Sequence, residues 1–239
     1  MPKRRVNQQD QQIVHNFKKV PTMAKCPSAI DLQPELTPAE LNAMKSLVQQ
    51  HPRTGKHLEI GTAAGGTLRE LMLCYPQPRP SFVVVDPFTY FPDQLEIVKN
   101  NLRGADIDPK YVDFRQGYSW PQLELAMSVK ETFDFIFIDG HHDASDVMKD
   151  LRWTRLLNDG GFVCLHDYKP KFPGVKWATE RFLRRNGNYS KMIHVDSLVV
   201  LKKSGMSGTE VSDRDLSISK FMNRILKYKR SIMKRLNRV

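Results

Sequence analysis

Two segments of the chain finish in acids and imidazoles. Phe133-Asp134-Phe135-Ile136-Phe137-Ile138 is apolar along almost its whole length and gives way abruptly to Asp139-Gly140-His141-His142. After the turn Asp159-Gly160-Gly161, a second apolar run gives way in the same manner to His166-Asp167-Tyr168. An imidazole beside a carboxylate is suited to moving protons, since imidazole is the side chain type whose charge changes near neutral pH. Two carboxylates about 5 Å apart at neighbouring strand ends could instead address one cation or one ligand. The structural alternative has Asp139 capping backbone amides while His141 and His142 begin a helix. Two imidazoles beside one acid, opposite a second His-Asp pair, favour the functional reading, with His142 or His141 as the base.

A second group of residues has the character of a ligand cradle. Glu59-Ile60-Gly61-Thr62-Ala63-Ala64-Gly65-Gly66-Thr67 joins an apolar run to a helical stretch. Its small side chains let the backbone come close to a bound molecule. Asp86 closes the next apolar run, where a carboxylate can accept two hydrogen bonds from a cis-diol or cap the following turn. Gln116-Gly117-Tyr118-Ser119 follows the third run.

These ends meet only if the runs that precede them lie side by side. Apolar runs at Leu58–Ile60, Phe82–Val85, Tyr111–Phe114, Phe133–Ile138 and Phe162–Leu165 alternate with helical stretches, the pattern of a parallel sheet covered on both faces. Lys191–Val195 and Ser197–Leu201 are separated by Asp196 alone, too close for a crossover helix, and are expected to run antiparallel. Thr37-Pro38-Ala39-Glu40 predicts a capped helix start, with the helix reaching about Gln50, and another helix is expected near Val175–Arg185.

Five parallel strands closed by an antiparallel pair, with a glycine-bearing turn after the first, resemble the class I methyltransferases. Asp139-Gly140-His141-His142 and Leu165-His166-Asp167-Tyr168, together with Asp150-Leu151 and Pro173-Gly174-Val175, are similar to the family 24 O-methyltransferases that act on sugars and natural products. The resemblance spans roughly residues 56–201. It implies an α/β fold, a doubly wound, mostly parallel seven-stranded sheet of Rossmann-like type. It also implies methyl transfer from S-adenosylmethionine to a hydroxyl of a small molecule, sugar or glycolipid. On the same ground, Glu59, Gly61, Thr62, Ala63, Gly65, Asp86, Ser119 and Asp139 fall at the cofactor, and Asp139, His141, His142 and Asp167 at the reaction. Relatives that use magnesium hold it with carboxylates after the fourth and fifth strands, the positions of Asp139 and Asp167. The sequence departs from them at Tyr168, where catechol-type enzymes carry asparagine, and at His141, where relatives often carry a second acid.

A nicotinamide dinucleotide site is the sharper rival for the glycine stretch, but alanine at position 63 breaks the Gly-x-Gly-x-x-Gly pattern. Methylation of RNA or protein is another reading, though the Asn/Asp-Pro-Pro-Tyr signature of amino methylation is absent after the fourth strand. A non-catalytic adaptor that keeps the fold and binds a partner through its tail is a third.

The expected organisation is a basic, helical extension over residues 1–36, a methyltransferase domain over 37–203, and a linker with a basic helix over 204–239. The net charge of +11 sits at the ends. Residues 220–239 hold Lys220, Arg224, Lys227, Lys229, Arg230, Lys234, Arg235 and Arg238 without an acid, and residues 1–20 hold five cations against Asp10. Ile218, Phe221, Met222, Ile225, Tyr228, Ile232 and Leu236 recur among the tail cations at helical steps. Such a helix suits packing on its own domain or on a second subunit, contact with an anionic membrane surface, or, less well, nucleic acid. Gly205–Asp215 reads as a flexible linker before it. Cys26, Cys74 and Cys164 lack paired metal spacing and fit a reducing compartment. With no apolar leader after Met1 and no bilayer-length apolar run, the expected location is cytoplasmic, with peripheral membrane contact through the tail.

Overall fold

The computed structural model describes residues 34–51, 55–205 and 210–236. The helix expected before residue 34, and Cys26, lie outside them. Helix α1 (Pro38–Gln50) starts as its sequence dictates. Thr37 Oγ1 accepts from the Glu40 amide, Glu40 Oε2 accepts from the Thr37 amide, and Pro38 stands where no amide hydrogen is needed.

Strands and helices then alternate: β1 (His57–Ile60), α2 (Gly66–Leu73), β2 (Phe82–Asp86), α3 (Gln94–Arg103), β3 (Val112–Gln116), α4 (Ser119–Ser128), β4 (Phe133–Ile138), α5 (Ala144–Asp150), β5 (Leu157–Leu165) and α6 (Pro173–Arg185). Strands β6 (Tyr189–Val195) and β7 (Leu198–Lys203) and helix α7 (Asp213–Leu236) complete the chain. The sheet order is β3-β2-β1-β4-β5-β7-β6. The first five strands are parallel, and β7 runs antiparallel to both β5 and β6. This is the doubly wound, mostly parallel seven-stranded sheet expected.

The central strands are largely apolar because both their faces are covered. Leu58, Ile136, Ile138 and Leu165 pack on one side with Val147, Met148, Ala178 and Phe182 of α5 and α6. Phe135, Phe137, Phe162 and Cys164 pack on the other with Met44, Leu47, Leu68 and Val98 of α1, α2 and α3. Strand β4 alone sinks Phe133, Phe135 and Phe137 to 1% exposure or less. Burial of each such ring is worth about 2–3 kcal/mol, so the strand carrying Asp139 is firmly anchored.

Register sets the height at which the polar ends emerge. Ile60 pairs with Ile138 and Ile138 with Leu165, so Gly61, Asp139 and His166 leave the sheet side by side. Strand order reverses at β1 and β4, and the crevice outside the carboxyl ends at such a switch point is where open α/β sheets bind ligands.

Three expectations are corrected. Tyr111 is exposed in a 3-10 turn (Pro109–Tyr111) and β3 begins after it. Strand β5 begins at Leu157, with a register irregularity opposite β4, so it includes the turn-like Asp159-Gly160-Gly161. The segment read as a flexible linker is docked at its far end: Val211 is 3% exposed in the core, and Asp215, 2% exposed inside α7, accepts from Arg181 at 2.7 Å.

Candidate active site

The glycine turn after β1 is shaped by close approach. Gly61 has φ +81°, and a Cβ there would lie 2.5 Å from the Asp139 carbonyl oxygen. Only glycine combines that backbone angle with that proximity. Asp86 tethers the turn from β2, accepting from the Thr62 amide at 2.9 Å and from the Phe88 amide at 2.6 Å. It thus caps the turn and also faces the cleft, so the two roles weighed for it are compatible. Desolvation raises its carboxyl above the ordinary range, against those hydrogen bonds. Glu59 is 3% exposed, and burial pushes its carboxyl up to about 8, with the Asp139 and Asp86 charges adding to the effect. Among the described residues, Glu59 Oε2 and Thr62 Oγ1 are buried without a hydrogen-bond partner.

The acids and imidazoles of β4 and β5 interlock across the strands. His142 Nε2 lies 2.6 Å from Asp167 Oδ2, while Lys169 Nζ meets Asp167 Oδ1 at 2.7 Å. Desolvation works against the charge of Asp167, yet the hydrogen bonds from His142 and Lys169 hold its carboxyl near 2. Asp167 is therefore a carboxylate at any working pH. The His142 ring stacks on Phe172 with centroids 4.1 Å apart and keeps 42% of its side chain exposed to the cleft. Helix α5 begins only at Ala144, so neither histidine starts it. His141 also lines the cleft, but the contact with Asp167 is made by His142. Of the two histidines, the carboxylate engages His142.

His166 serves a different purpose. Its Nδ1 lies 2.9 Å from Asp139 Oδ1 and its Nε2 3.4 Å from Glu40 Oε2. Desolvation opposes its charge, but the hydrogen bond and charge of Asp139, followed by the charges of Asp167 and Glu40, raise it to about 9. Glu40 is fully buried and accepts from the Ser197 amide and hydroxyl, both at 2.7 Å. The cap of α1 therefore braces the polar end of β5.

A cleft of about 380 Å³ joins these groups, reaching from Asp86 and Gly61 to Asp139, His142 and Asp167. Ser119 lies in its wall, with its hydroxyl donating to Asp150. Tyr118 instead stacks on Trp120, centroids 4.7 Å apart, forming an aromatic wall. Glu35 also reaches the cleft, and sequence reasoning missed it: it stands before α1, with no local pattern to mark it. Desolvation, then the Asp139 charge, raise its carboxyl.

The model of a methyltransferase domain family, number 24, matches residues 58–168, which hold both interlocked pairs. Residues 58–168 are thus similar to a family 24 methyltransferase domain. A comparison with curated protein sequences gives no match. An O-methyltransferase from Bacillus cereus, solved in complex with SAH, shares this chain's fold with TM-score 0.58 at 19% identity, over 82% of this chain and 97% of its own. TomG, an O-methyltransferase of tomaymycin synthesis from Streptomyces achromogenes in complex with SAM, does so with TM-score 0.56 at 18% identity, over 83% and 89%. CalS11, a TDP-rhamnose 3'-O-methyltransferase of calicheamicin biosynthesis, has TM-score 0.52 at 17% identity, over 68% and 76%.

Class I methyltransferases draw their methyl group from S-adenosylmethionine, and the residues present fit that molecule. The unpartnered Glu59 Oε2 offers an acceptor for an amino group beside the glycine turn, and Asp86, which already accepts from Thr62, Phe88 and Gln94, faces the cleft with acceptor capacity left for a single hydroxyl. Magnesium fits less well. Asp139, His166 and Asp167 offer ligand atoms within 4.8 Å of one another. Magnesium wants six oxygens in near-ideal octahedral geometry, whereas two carboxylates converge here and both are already answered, Asp139 by His166 and Asp167 by His142 and Lys169.

The His166 ion pair gives the protein a pH signature. Its folded value, about 9, lies above the ordinary 6.5, so its stabilisation is complete below about pH 6.5 and is lost as pH rises through about 9. Denaturant unfolding is expected to show a loss on the order of 2 kcal/mol across that window. The loss should be absent in His166→Gln, and an equal loss in both proteins would contradict the assignment.

Proposed function

We propose that this methyltransferase moves the methyl group of S-adenosylmethionine to a hydroxyl oxygen of a small-molecule acceptor, with His142 as general base. The observation that carries the reading is the 2.6 Å contact between His142 Nε2 and Asp167 Oδ2 at a cleft shared with the glycine turn. When bound, the donor supplies an electrophilic methyl group on a sulfonium. A neutral hydroxyl is a poor nucleophile, so the protein must align it and remove its proton.

With Nε2 directed at Asp167, His142 has Nδ1 left to accept the acceptor's proton. Asp167 fixes the ring orientation and balances the charge that the ring gains, the role of the carboxylate in a catalytic triad. Lys169 and Phe172 hold Asp167 and the ring in place. Asp139, fastened by His166, faces the cleft between the turn and the base and would stabilise positive charge there. The stacked Tyr118 and Trp120 offer flat apolar surface to a ring. A sugar or a phenol suits this cleft, and the TDP-rhamnose enzyme among the structural relatives supports a sugar hydroxyl as the acceptor.

The test is turnover of S-adenosylmethionine by the purified full chain against sugars, phenols and glycolipids, with and without chelator. Methylation of a hydroxyl that survives chelation is the expected result. Failure to bind S-adenosylmethionine, or tighter binding of a nicotinamide dinucleotide, would sink the proposal, and activity abolished by chelator would remove His142 as the sole activator.

A further inference from the structure

Helix α7 carries two contrasting faces, and only one of them is covered. Asp215 and Ser219 are buried, Leu216 packs on the core, and the helix lies against α5 and α6. Asn223 continues that inner face, with its Oδ1 accepting the Ala144 amide hydrogen at 2.8 Å and its Nδ2 donating to Ser145 at 3.0 Å. Phe221, Ile225, Tyr228 and Ile232 follow one another at steps of four, three and four residues. At 3.6 residues per turn they fall within an arc of about 60° on the opposite side. Phe221 is 62% exposed and Tyr228 68%, whereas an apolar stripe on a helix is ordinarily buried.

Charge frames this stripe. Beyond Asp215 the sequence of the helix contains no acid. On the helical wheel Lys220, Arg224 and Lys227 border the stripe on one side and Lys229 on the other. No helix among the described residues is long and apolar enough to cross a membrane. A helix with aromatic and aliphatic residues in one stripe and cations along its borders has the pattern of one that lies in the plane of a membrane interface.

We propose that the outer stripe of α7 docks on a membrane surface containing anionic lipid. The rings and isoleucines enter the headgroup boundary while the flanking cations meet lipid phosphates. Charge complementarity selects this occupant. A second copy of the helix would set cations against cations, and residues 1–20, with five cations against one acid, match no better. A nucleic acid would use the cations but leave Ile225 and Ile232 unexplained.

Docking would also bear on the cleft. Lys227 meets Asp143 at 2.6 Å, and Asn223 holds Ala144, so α7 grips the loop immediately after His142. A docked helix therefore holds that loop near the bilayer. The contact itself stands independently of methyl transfer.

Vesicle flotation of the full chain tests it, with phosphatidylcholine vesicles alone and with phosphatidylglycerol added. The chain is expected to float only with the anionic vesicles and to be released by salt. Phe221→Ser/Tyr228→Ser/Ile232→Ser alters exposed side chains, so its melting curve should match the parent while its partitioning falls about tenfold or more. The proposal is overturned by a parent chain that ignores anionic vesicles or by a variant that partitions equally. A dimer in sedimentation that the triple change dissolves would overturn it too, as would preference for an RNA oligonucleotide over vesicles.

Discussion

His142→Ala is expected to lower kcat about a thousandfold while leaving the affinity for S-adenosylmethionine nearly unchanged. General base catalysis contributes roughly 10²–10⁴ to a proton-coupled step. His142 meets Asp167 in the wall of the cleft, whereas the turn that would hold the donor is built from Gly61, Thr62 and Asp86. Removing the imidazole should therefore separate the chemical step from donor binding. Asp167→Asn keeps the shape and removes the charge, and a loss of about a hundredfold or more is expected. Both are read by single-turnover rates beside calorimetric titration of the donor. If His142→Ala retains near-parental kcat, the base lies elsewhere, with His141 the next to examine.

Gly61→Ala should abolish function by a different route. The added methyl must occupy a point 2.5 Å from the Asp139 carbonyl oxygen on a backbone held at φ +81°. Neither the turn nor β4 can move cheaply, because Gly61 donates to Val85 and Asp139 donates to Ile60 in the strand ladder. A destabilisation of about 2–4 kcal/mol is expected, with about a hundredfold loss of donor affinity. Gly187→Ala supplies the contrast, since a Cβ there meets nothing within 4 Å, and it should be close to neutral. Thermal melts and donor titration of the two variants decide the matter, and similar behaviour would show that the turn is more pliable than its contacts imply.

The strands were legible because burial on both faces writes itself as uninterrupted apolar runs. Phe133–Ile138 is observed with the bounds its sequence suggests. The start of β5 was hidden by Asn158-Asp159-Gly160-Gly161, which has turn composition and forms the irregularity between the pairs Phe133–Leu157 and Phe135–Phe162. At the site, Asp139, His142 and Asp167 stood out as polar residues abruptly ending apolar runs. Glu40 could be read only as a cap, since its bonds to Ser197 span 157 positions and no local pattern encodes them. The bond from Ser119 to Asp150 was hidden for a similar reason, because its partner lies on another helix. The segment before α7 looked like a linker by composition, yet Val211 fastens it to the core.

The antiparallel entry of β7 between β5 and β6 orders events during synthesis. Its hydrogen bonds complete β5, and the Ser197 carbonyl accepts from the Tyr168 amide at 2.8 Å, just beyond Asp167. A ribosome must therefore deliver about thirty more residues after Asp167 before that residue has its final surroundings. Until then the nascent chain exposes one open edge of an apolar strand, a hazard that ends only when its penultimate segments arrive.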